Sequence, residues 1–360
     1  MAMKIAVTAD LHLREDRPER LRALRGILST IHEEGITHLI IAGDLFDRET
    51  TNYGFFESVT REFPELHFYI IPGNHDSGLS GRNLGRSNIT VYTEPTFLKI
   101  GPVDILFLPY RSNSLMDEVL TEVLGRAEVP TRWILFGHGD YIGGYHQPHS
   151  YEKGIYMPLS ARAIENFRPQ KVILGHIHKP HWQGLGRVYY PGSPCGLDIN
   201  ETGQRGFLIL DLDILEVHPR VLVPEVLYFV ESVWVYPVEE EVSLLETSLQ
   251  KMIESWGLEE ETLKKVVLRL QLKGYTQDRP RVIEKVKEFL SKRGIRLYDD
   301  GEPVVTELET ILEDPYYDER QRLLKRVKSA IDNLQLQEID QGQLGRDDIL
   351  GEVLDILYGR

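Results

Sequence analysis

Residues 5–12 read Ile5-Ala6-Val7-Thr8-Ala9-Asp10-Leu11-His12, and residues 39–47 read Leu39-Ile40-Ile41-Ala42-Gly43-Asp44-Leu45-Phe46-Asp47. Each is a short apolar run without alternation that ends in acids or imidazoles. Such runs suggest strands covered on both faces. Between them Leu21, Leu24, Ile27, Leu28 and Ile31 form the apolar stripe of a helix that stops at Gly35. Asp16 is placed to cap this helix, and Pro18 suits its first turn. The strand–helix–strand rhythm indicates an α/β layered domain.

Working outward, comparable runs recur at Phe68–Ile71, Ile105–Leu108, Trp133–Phe136 and Val172–Leu174. Val188–Tyr190, Phe207–Leu212 and Val217–Val223 then follow one another as strands without helices between them. That change favours a mixed sheet or two stacked sheets over a purely parallel one. From about residue 231 the pattern restarts: a strand at Val233–Val238, a helix bearing Leu245, Leu249, Met252, Ile253 and Trp256, a strand at Val266–Leu272, a helix from Pro280 to Arg293, and a short strand at Arg296–Tyr298. This is the pattern of a small βαβαβ unit. After Asp299-Asp300-Gly301 the tail reads as helical and charged. Its last segment carries Ile349, Leu350, Val353, Leu354, Ile356 and Leu357 on an apolar face.

The chain has 360 residues, of which 41 are Lys or Arg and 56 are Asp or Glu, for a formal charge of −15. Its length suits more than one domain. No apolar run reaches the ~20 residues that cross a bilayer. The one cysteine, Cys195, cannot form an intrachain disulfide, so a reducing, cytoplasmic setting is expected. The acidic balance argues mildly against nucleic acid.

The polar residues at the strand ends carry the chemistry. Asp10 and His12 close the first strand, Asp44 and Asp47 the second, and Asn74, His75 and Asp76 the third. His138 closes a later one, and His176 and His178 the next. In α/β folds the carboxyl ends of strands converge on one crevice. Gly43, Gly73, Gly137 and Gly175 allow tight backbone turns there. Two divalent cations in such a pocket bring +4, and Asp10 and Asp44 return −2, leaving charge enough to hold a phosphate and a hydroxide together. Mixed nitrogen and oxygen donors suit manganese, iron or zinc. So few acids leave Asp44 to bridge the two ions. Asp47 and Asp76 also fit as turn residues, and His32, His38, His67 and His218 lie outside the pattern.

Asp-x-His, Gly-Asp-x-x-Asp, Gly-Asn-His-Asp, Gly-His and Gly-His-x-His, in this order over residues 4–213, resemble the calcineurin-like metallophosphoesterase superfamily. The resemblance implies an α/β fold: a two-sheet β-sandwich flanked by helices. It implies one metal on Asp10, His12, Asp44 and His178 and another on Asp44, Asn74, His138 and His176, with Mn2+ the expected ion. His75 then stabilises the phosphate and donates a proton to the leaving oxygen, oriented by Asp47.

Gly175-His176-Ile177-His178-Lys179-Pro180, followed by Tyr190-Pro191-Gly192-Ser193-Pro194 and Gly206-Phe207-Leu208, is similar to the SbcD-type DNA repair exonucleases. That likeness implies a nuclease domain over 1–230, a small α+β capping domain over 231–300, and a helical C-terminal tail over 301–360 that docks a coiled-coil ATPase of the SbcC type. It also implies a homodimer through a helix within Ser112–Arg126. DNA is the expected partner. Arg14 stands where the first motif usually has glycine, beside the approach of DNA. Arg82, Arg86, Arg111, Lys179, Arg187 and Arg205 are candidates for a basic rim. His146, His149 and His181 lie in loops near the motifs. No Gly-x-x-x-x-Gly-Lys-Ser/Thr segment is present, so ATP dependence would come from another chain. Ser193 lacks the Gly-x-Ser-x-Gly context of a nucleophile. The competing expectations are a phosphoesterase for small nucleotides or phosphoproteins, and a non-catalytic, metal-stabilised subunit of an ATPase complex.

Overall fold

The computed structural model describes residues 2–48, 53–125, 129–143, 154–223, 225–298, 304–332 and 346–358. The chain forms two units, Met1–Tyr228 and Phe229–Arg360. His146 and His149 lie outside the described residues.

The first unit begins with β1 (Lys4–Thr8), α1 (Pro18–Glu33), β2 (His38–Ala42), α2 (Gly54–Thr60), β3 (His67–Ile71), β4 (Ile89–Val91), β5 (Thr96–Ile100) and β6 (Val103–Leu108). It continues with α3 (Met116–Leu124), β7 (Trp133–His138), β8 (Tyr141–Ile142), β9 (Leu159–Ser160), α4 (Ala161–Phe167) and β10 (Lys171–Gly175). β11 (His181–Leu185), β12 (Val188–Tyr190), β13 (Gly206–Asp211) and β14 (Glu216–Val221) close it. Among the described residues one sheet runs β14-β13-β1-β2-β3-β4 and a second runs β11-β12-β10-β7-β6-β5. β1, β2, β3 and β4 are parallel, with β13 antiparallel to β1. In the second sheet β6, β7, β10 and β12 are parallel, while β5 and β11 run antiparallel at its edges.

Strand alternation explains the layering. Ile5, Val7, Ile40 and Ala42 point from the first sheet into a core shared with Ile105, Phe107, Ile134, Phe136 and Ile173 of the second. The opposite face of the first sheet, through Ala6, Leu39, Ile41, Phe68 and Ile70, packs on Leu24, Ile27, Leu28 and Ile31 of α1. Leu106, Leu135, Val172 and Leu174 of the second sheet meet Met116, Val119, Leu120 and Leu124 of α3. Both faces of the central strands are therefore dry, which is why those strands read as unbroken apolar runs. The unit is the expected two-sheet sandwich with helices outside. Of the apolar residues in the stretch offered above as a dimer contact, Met116, Val119, Leu120 and Leu124 are buried in this outer core, while Leu115 is 45% exposed.

Asp16 does not cap α1. The N-cap is Arg17, without a side-chain hydrogen bond, while Asp16 accepts two hydrogen bonds from Arg14, at 2.9 and 3.0 Å. The guanidinium two residues away captures the carboxylate before the helix can use it. Pro18 opens the helix as expected.

The second unit takes up β15 (Leu227–Val235) and adds α5 (Glu241–Ser255), α6 (Glu260–Leu263), β16 (Val266–Thr276), α7 (Arg279–Ser291) and β17 (Arg296–Leu297). The stretch expected to be a helical tail from residue 301 instead includes a strand, β18 (Val304–Thr310), paired parallel to β16 from Leu270↔Val304 to Thr276↔Thr310. α8 (Tyr317–Asp332) and α9 (Arg346–Tyr358) follow. Leu354 and Tyr358 of α9 are buried with Tyr236, Val238 and Leu324. Part of the tail's apolar face is thus used inside the unit, while Ile356 is 77% exposed. Arg320 of α8 lies 4.7 Å from the Tyr358 ring and 5.5 Å from that of Tyr275, and its Nη1 donates to Asp314 at 2.9 Å. None of the described helices is long and apolar enough to cross a membrane.

Phe107 is fully buried between the sheets, with its ring stacked 4.5 Å from Tyr92 and 6.0 Å from Phe136. Phe107→Ala should cost the first unit about 3–5 kcal/mol, read from urea unfolding curves.

Candidate metal centre

The carboxyl ends of β1, β2 and β3 from one sheet and of β7 and β10 from the other meet at one place. Four residues there adopt left-handed backbone: Asp10 (φ 53°), His12 (φ 43°), Asp44 (φ 50°) and His176 (φ 93°). Such conformations cost of order 1–3 kcal/mol each and persist where the surroundings over-determine them. Here the surroundings are backbone hydrogen bonds between the loops. Asp10 N–H donates to Gly43 O at 3.1 Å, and His12 N–H to Asp44 O at 3.0 Å.

Gly43 (φ +91°) needs both its conformation and its missing side chain, since a Cβ would sit 2.0 Å from His138 Nδ1. Gly73 is required for space alone: a Cβ there would lie 2.1 Å from Asp44 Oδ1.

The sequence-selected residues converge. His12 Nε2 lies 3.1 Å from His178 Nε2 and 3.6 Å from Asp44 Oδ2. His138 Nε2 is 3.4 Å from Asp44 Oδ2 and 2.8 Å from Asn74 Oδ1. Asp10, His12 and His178 form a group whose donor atoms all lie within 4.8 Å of one another. So do Asp10, Asp44 and His138, and so do His12, Asp44 and His75. The His176 ring sits 5.5 Å from that of His138. His75 approaches His12 edge-on at 4.5 Å and presents Nδ1 3.8 Å from Asp47 Oδ1. Unlike the buried ligand candidates, it is 20% exposed.

These residues fit divalent metal ions. Asp10 Oδ2 is buried and accepts no hydrogen bond from the described residues, while Oδ1 accepts His176 N–H at 2.9 Å. His138 Nδ1 lies 3.0 Å from Ala42 O, and His178 Nδ1 lies 2.6 Å from Glu201 Oε1. An Nδ1 proton shared with each oxygen leaves Nε2 as the electron-pair donor toward the pocket.

Electrostatics follow burial and pairing. Burial drives the Asp10 carboxyl up to about 6 and His12 down to about 3. Burial opposes charge on Asp44 as well, yet His138 and then His12 hold its carboxyl well below the usual carboxylate range. Burial opposes charge on His138 too, but Asp44 and then Asp10 raise it to about 9. The adjacent His75 keeps Asp47 ionised far below the ordinary range.

Three supporting residues escaped the sequence reading. Glu201, 5% exposed, holds His178 and accepts from Ser193 Oγ at 2.8 Å and Leu197 N–H at 3.1 Å. Asp140 accepts Tyr156 N–H at 2.6 Å and lies 3.8 Å from His176 Nε2. Buried Arg20 donates to His12 O at 2.6 Å and to Asp47 Oδ2 at 3.3 Å. Asp47 therefore joins Arg20 to His75. Asp76 is a turn residue, accepting from Gly73 N–H at 2.7 Å and Phe46 N–H at 3.1 Å.

Arg205 is not part of a rim: it is buried and donates to His178 O at 2.5 Å and Ser193 Oγ at 3.1 Å. Arg111 is paired with Glu94 at 2.6 Å, and Arg187 donates to Pro169 O at 3.1 Å. Lys179 and Arg82 are exposed, while Arg86 donates to Asn88 at 3.3 Å. Arg14 lies between Asp16 and Asp47, 3.9 Å from the latter.

The family profile for calcineurin-like phosphoesterases matches residues 3–180, which span every metal-ligand candidate described above but not Glu201. Residues 3–180 are a calcineurin-like phosphoesterase domain. Members of this family hydrolyse phosphoesters with divalent metals, and that activity is supported for residues 3–180. The search of curated proteins finds no match. Among solved structures, the phosphoesterase is similar to a dimetal phosphatase from Danio rerio (12% identity, TM-score 0.39, covering 61% of this chain and 96% of that one). It is also similar to GAP50, the anchor in the inner membrane complex of Plasmodium (14%, 0.40, 61% and 89%). TT1561 of Thermus thermophilus is a further match (15%, 0.38, 61% and 99%).

Divalent ions at a hundred times their Kd should stabilise the phosphoesterase unit by about 2.7 kcal/mol, or roughly 5–10 °C in Tm. A chelator should reverse that shift, and Asp44→Asn should abolish it in differential scanning fluorimetry.

Proposed function

We propose that this chain is a metal-dependent DNA nuclease, acting as an exonuclease on duplex DNA and an endonuclease on single strands in double-strand break repair. The observation that carries the hydrolytic part is the placement of His75. It is the most exposed imidazole of the cluster, edge-on to His12 and backed by Asp47, which Arg20 holds in turn. A histidine so placed reaches a leaving oxygen, and its carboxylate partner fixes which nitrogen carries the proton.

Asp10, His12, Asp44 and His178 would hold one ion, and Asp44, Asn74, His138 and His176 the other, with Mn2+ the expected metal. When bound, two such ions supply a nucleophile at neutral pH and charge for the reacting phosphate. The chain's own part is to hold the Nδ1 protons on Ala42 O and Glu201, so that Nε2 is the nitrogen offered to the pocket, and to present His75.

The polymer substrate is supported by the likeness of residues 175–208 to SbcD-type nucleases, and by the turn at Ser193 being tied to a ligand candidate: Ser193 N–H donates to His178 O at 3.0 Å. Lys179 and Arg82, exposed, and Arg14 and Arg86, half-buried, are the proposed DNA contacts. A homodimer and a coiled-coil ATPase partner belong to the same reading. The partner would meet the outer side of α9, where Ile356 is exposed.

End-labelled single- and double-stranded DNA with Mn2+ should be cut, and His75→Ala should slow cutting by about a hundred- to ten-thousand-fold. Turnover of a generic phosphomonoester with DNA left intact would move the protein to the small-substrate branch and end the nuclease reading.

A further inference from the structure

We propose that the two metal positions are unequal, and that Glu201 is the positioning residue that makes the one at His178 the tighter. This rests on the two-ion reading above and adds to it an order of loading.

The asymmetry lies in what stands behind each imidazole. Behind His178 is a carboxylate at hydrogen-bond distance: Glu201 Oε1 lies 2.6 Å from Nδ1. Glu201 cannot swing away. Its other oxygen accepts from Ser193 Oγ and Leu197 N–H, and Arg205 Nη1 lies 3.7 Å from it. The same Arg205 grips the His178 carbonyl, so ring and main chain of the ligand are fixed by one buried cluster.

Behind His138 the group at hydrogen-bond distance is a neutral carbonyl, Ala42 O at 3.0 Å, with Asp10 Oδ1 standing off at 4.0 Å. Behind His176 the carboxylate of Asp140 stands off at 3.8 Å and is engaged by Tyr156 N–H. A carboxylate bonded to the far nitrogen raises the basicity of a ligating histidine, and losing such a partner costs about 10–100-fold in metal affinity.

The test is calorimetric titration of the full chain with Mn2+, without substrate. The wild type should bind in two steps. Glu201→Gln keeps the side chain's shape and removes its charge, so it should weaken the tighter step by about 10–100-fold and leave the weaker step in place. Asp140→Asn should do the reverse. Ser193→Ala, which loosens Glu201 without removing it, should shift the tighter step less and serves if Glu201→Gln fails to fold. Equal movement of both steps in Glu201→Gln, or none, would show that Glu201 supports only the fold and would overturn the proposal. A single wild-type step with two equal sites would overturn it as well, while no Mn2+ binding at all would remove the two-ion reading beneath it.

Discussion

A carboxylate with almost no solvent exposure holds this molecule's chemistry together. Asp44 is 1% exposed, and an unpaired charge in that position would cost several kcal/mol. Its Oδ1 accepts His75 N–H at 2.9 Å, and its Oδ2 faces the imidazoles of His12 and His138. His12 comes from the first sheet and His138 from the second. The imidazoles that face Asp44 are thus drawn from both halves of the sandwich, and neither sheet alone supplies the pair. The close approach of Gly73 and Gly43 and the left-handed backbone at Asp10, His12 and Asp44 are consequences of that demand. The loops must fold back tightly to bring donors to one atom.

Around this centre several buried charges are answered by backbone or side-chain groups, while Asp10 Oδ2 is left open toward the pocket. Asp76 takes two main-chain N–H groups, Arg20 spans His12 O and Asp47, and Glu201 is shared by His178, Ser193, Leu197 and Arg205. Fully satisfied polar networks rigidify a site because any one member can move only by breaking several bonds. His75 differs. With a fifth of its side chain exposed, it sits where the network opens to solvent, which suits a group that exchanges a proton with a substrate.

Residues that follow a strand by one to four positions are legible from the sequence. Apolar runs mark the strand, and the next polar residue is delivered to the common edge by covalent connection alone. Asp10, Asp44, Asn74, His138 and His176 belong to that class. Glu201 does not, and Asp140, two residues past β7, shows its position but not its partner. Glu201 is 23 residues from the ring it holds, and Asp140 lies on a different strand's exit from His176, so only the fold brings them together. Arg20 is a charge within an amphipathic helix, and no periodicity announces its burial. β18 departs from the helical expectation for a different reason. Val304-Val305-Thr306 is β-branched and Glu307-Leu308-Glu309 alternates, both signs of a strand with one wet face, but its charged residues resemble a helix surface.

The net charge of −15 and a polyanionic substrate are compatible once distance is considered. At physiological salt the Debye length is ~8 Å, so carboxylates far from the pocket are largely screened from a phosphate inside it. What such a phosphate would feel is local: two divalent ions, when bound, would outweigh Asp10 and Asp44 and leave a net positive pocket. The buried guanidiniums of Arg20 and Arg205 add to this indirectly, by neutralising Asp47 and Glu201, carboxylates that would otherwise reduce it. Buried arginine therefore serves the same end that an exposed basic rim would, within the range that screening permits. On the proposed nuclease reading, binding built this way would hold the phosphate at the reacting centre, beside the contacts proposed for the rest of the polymer.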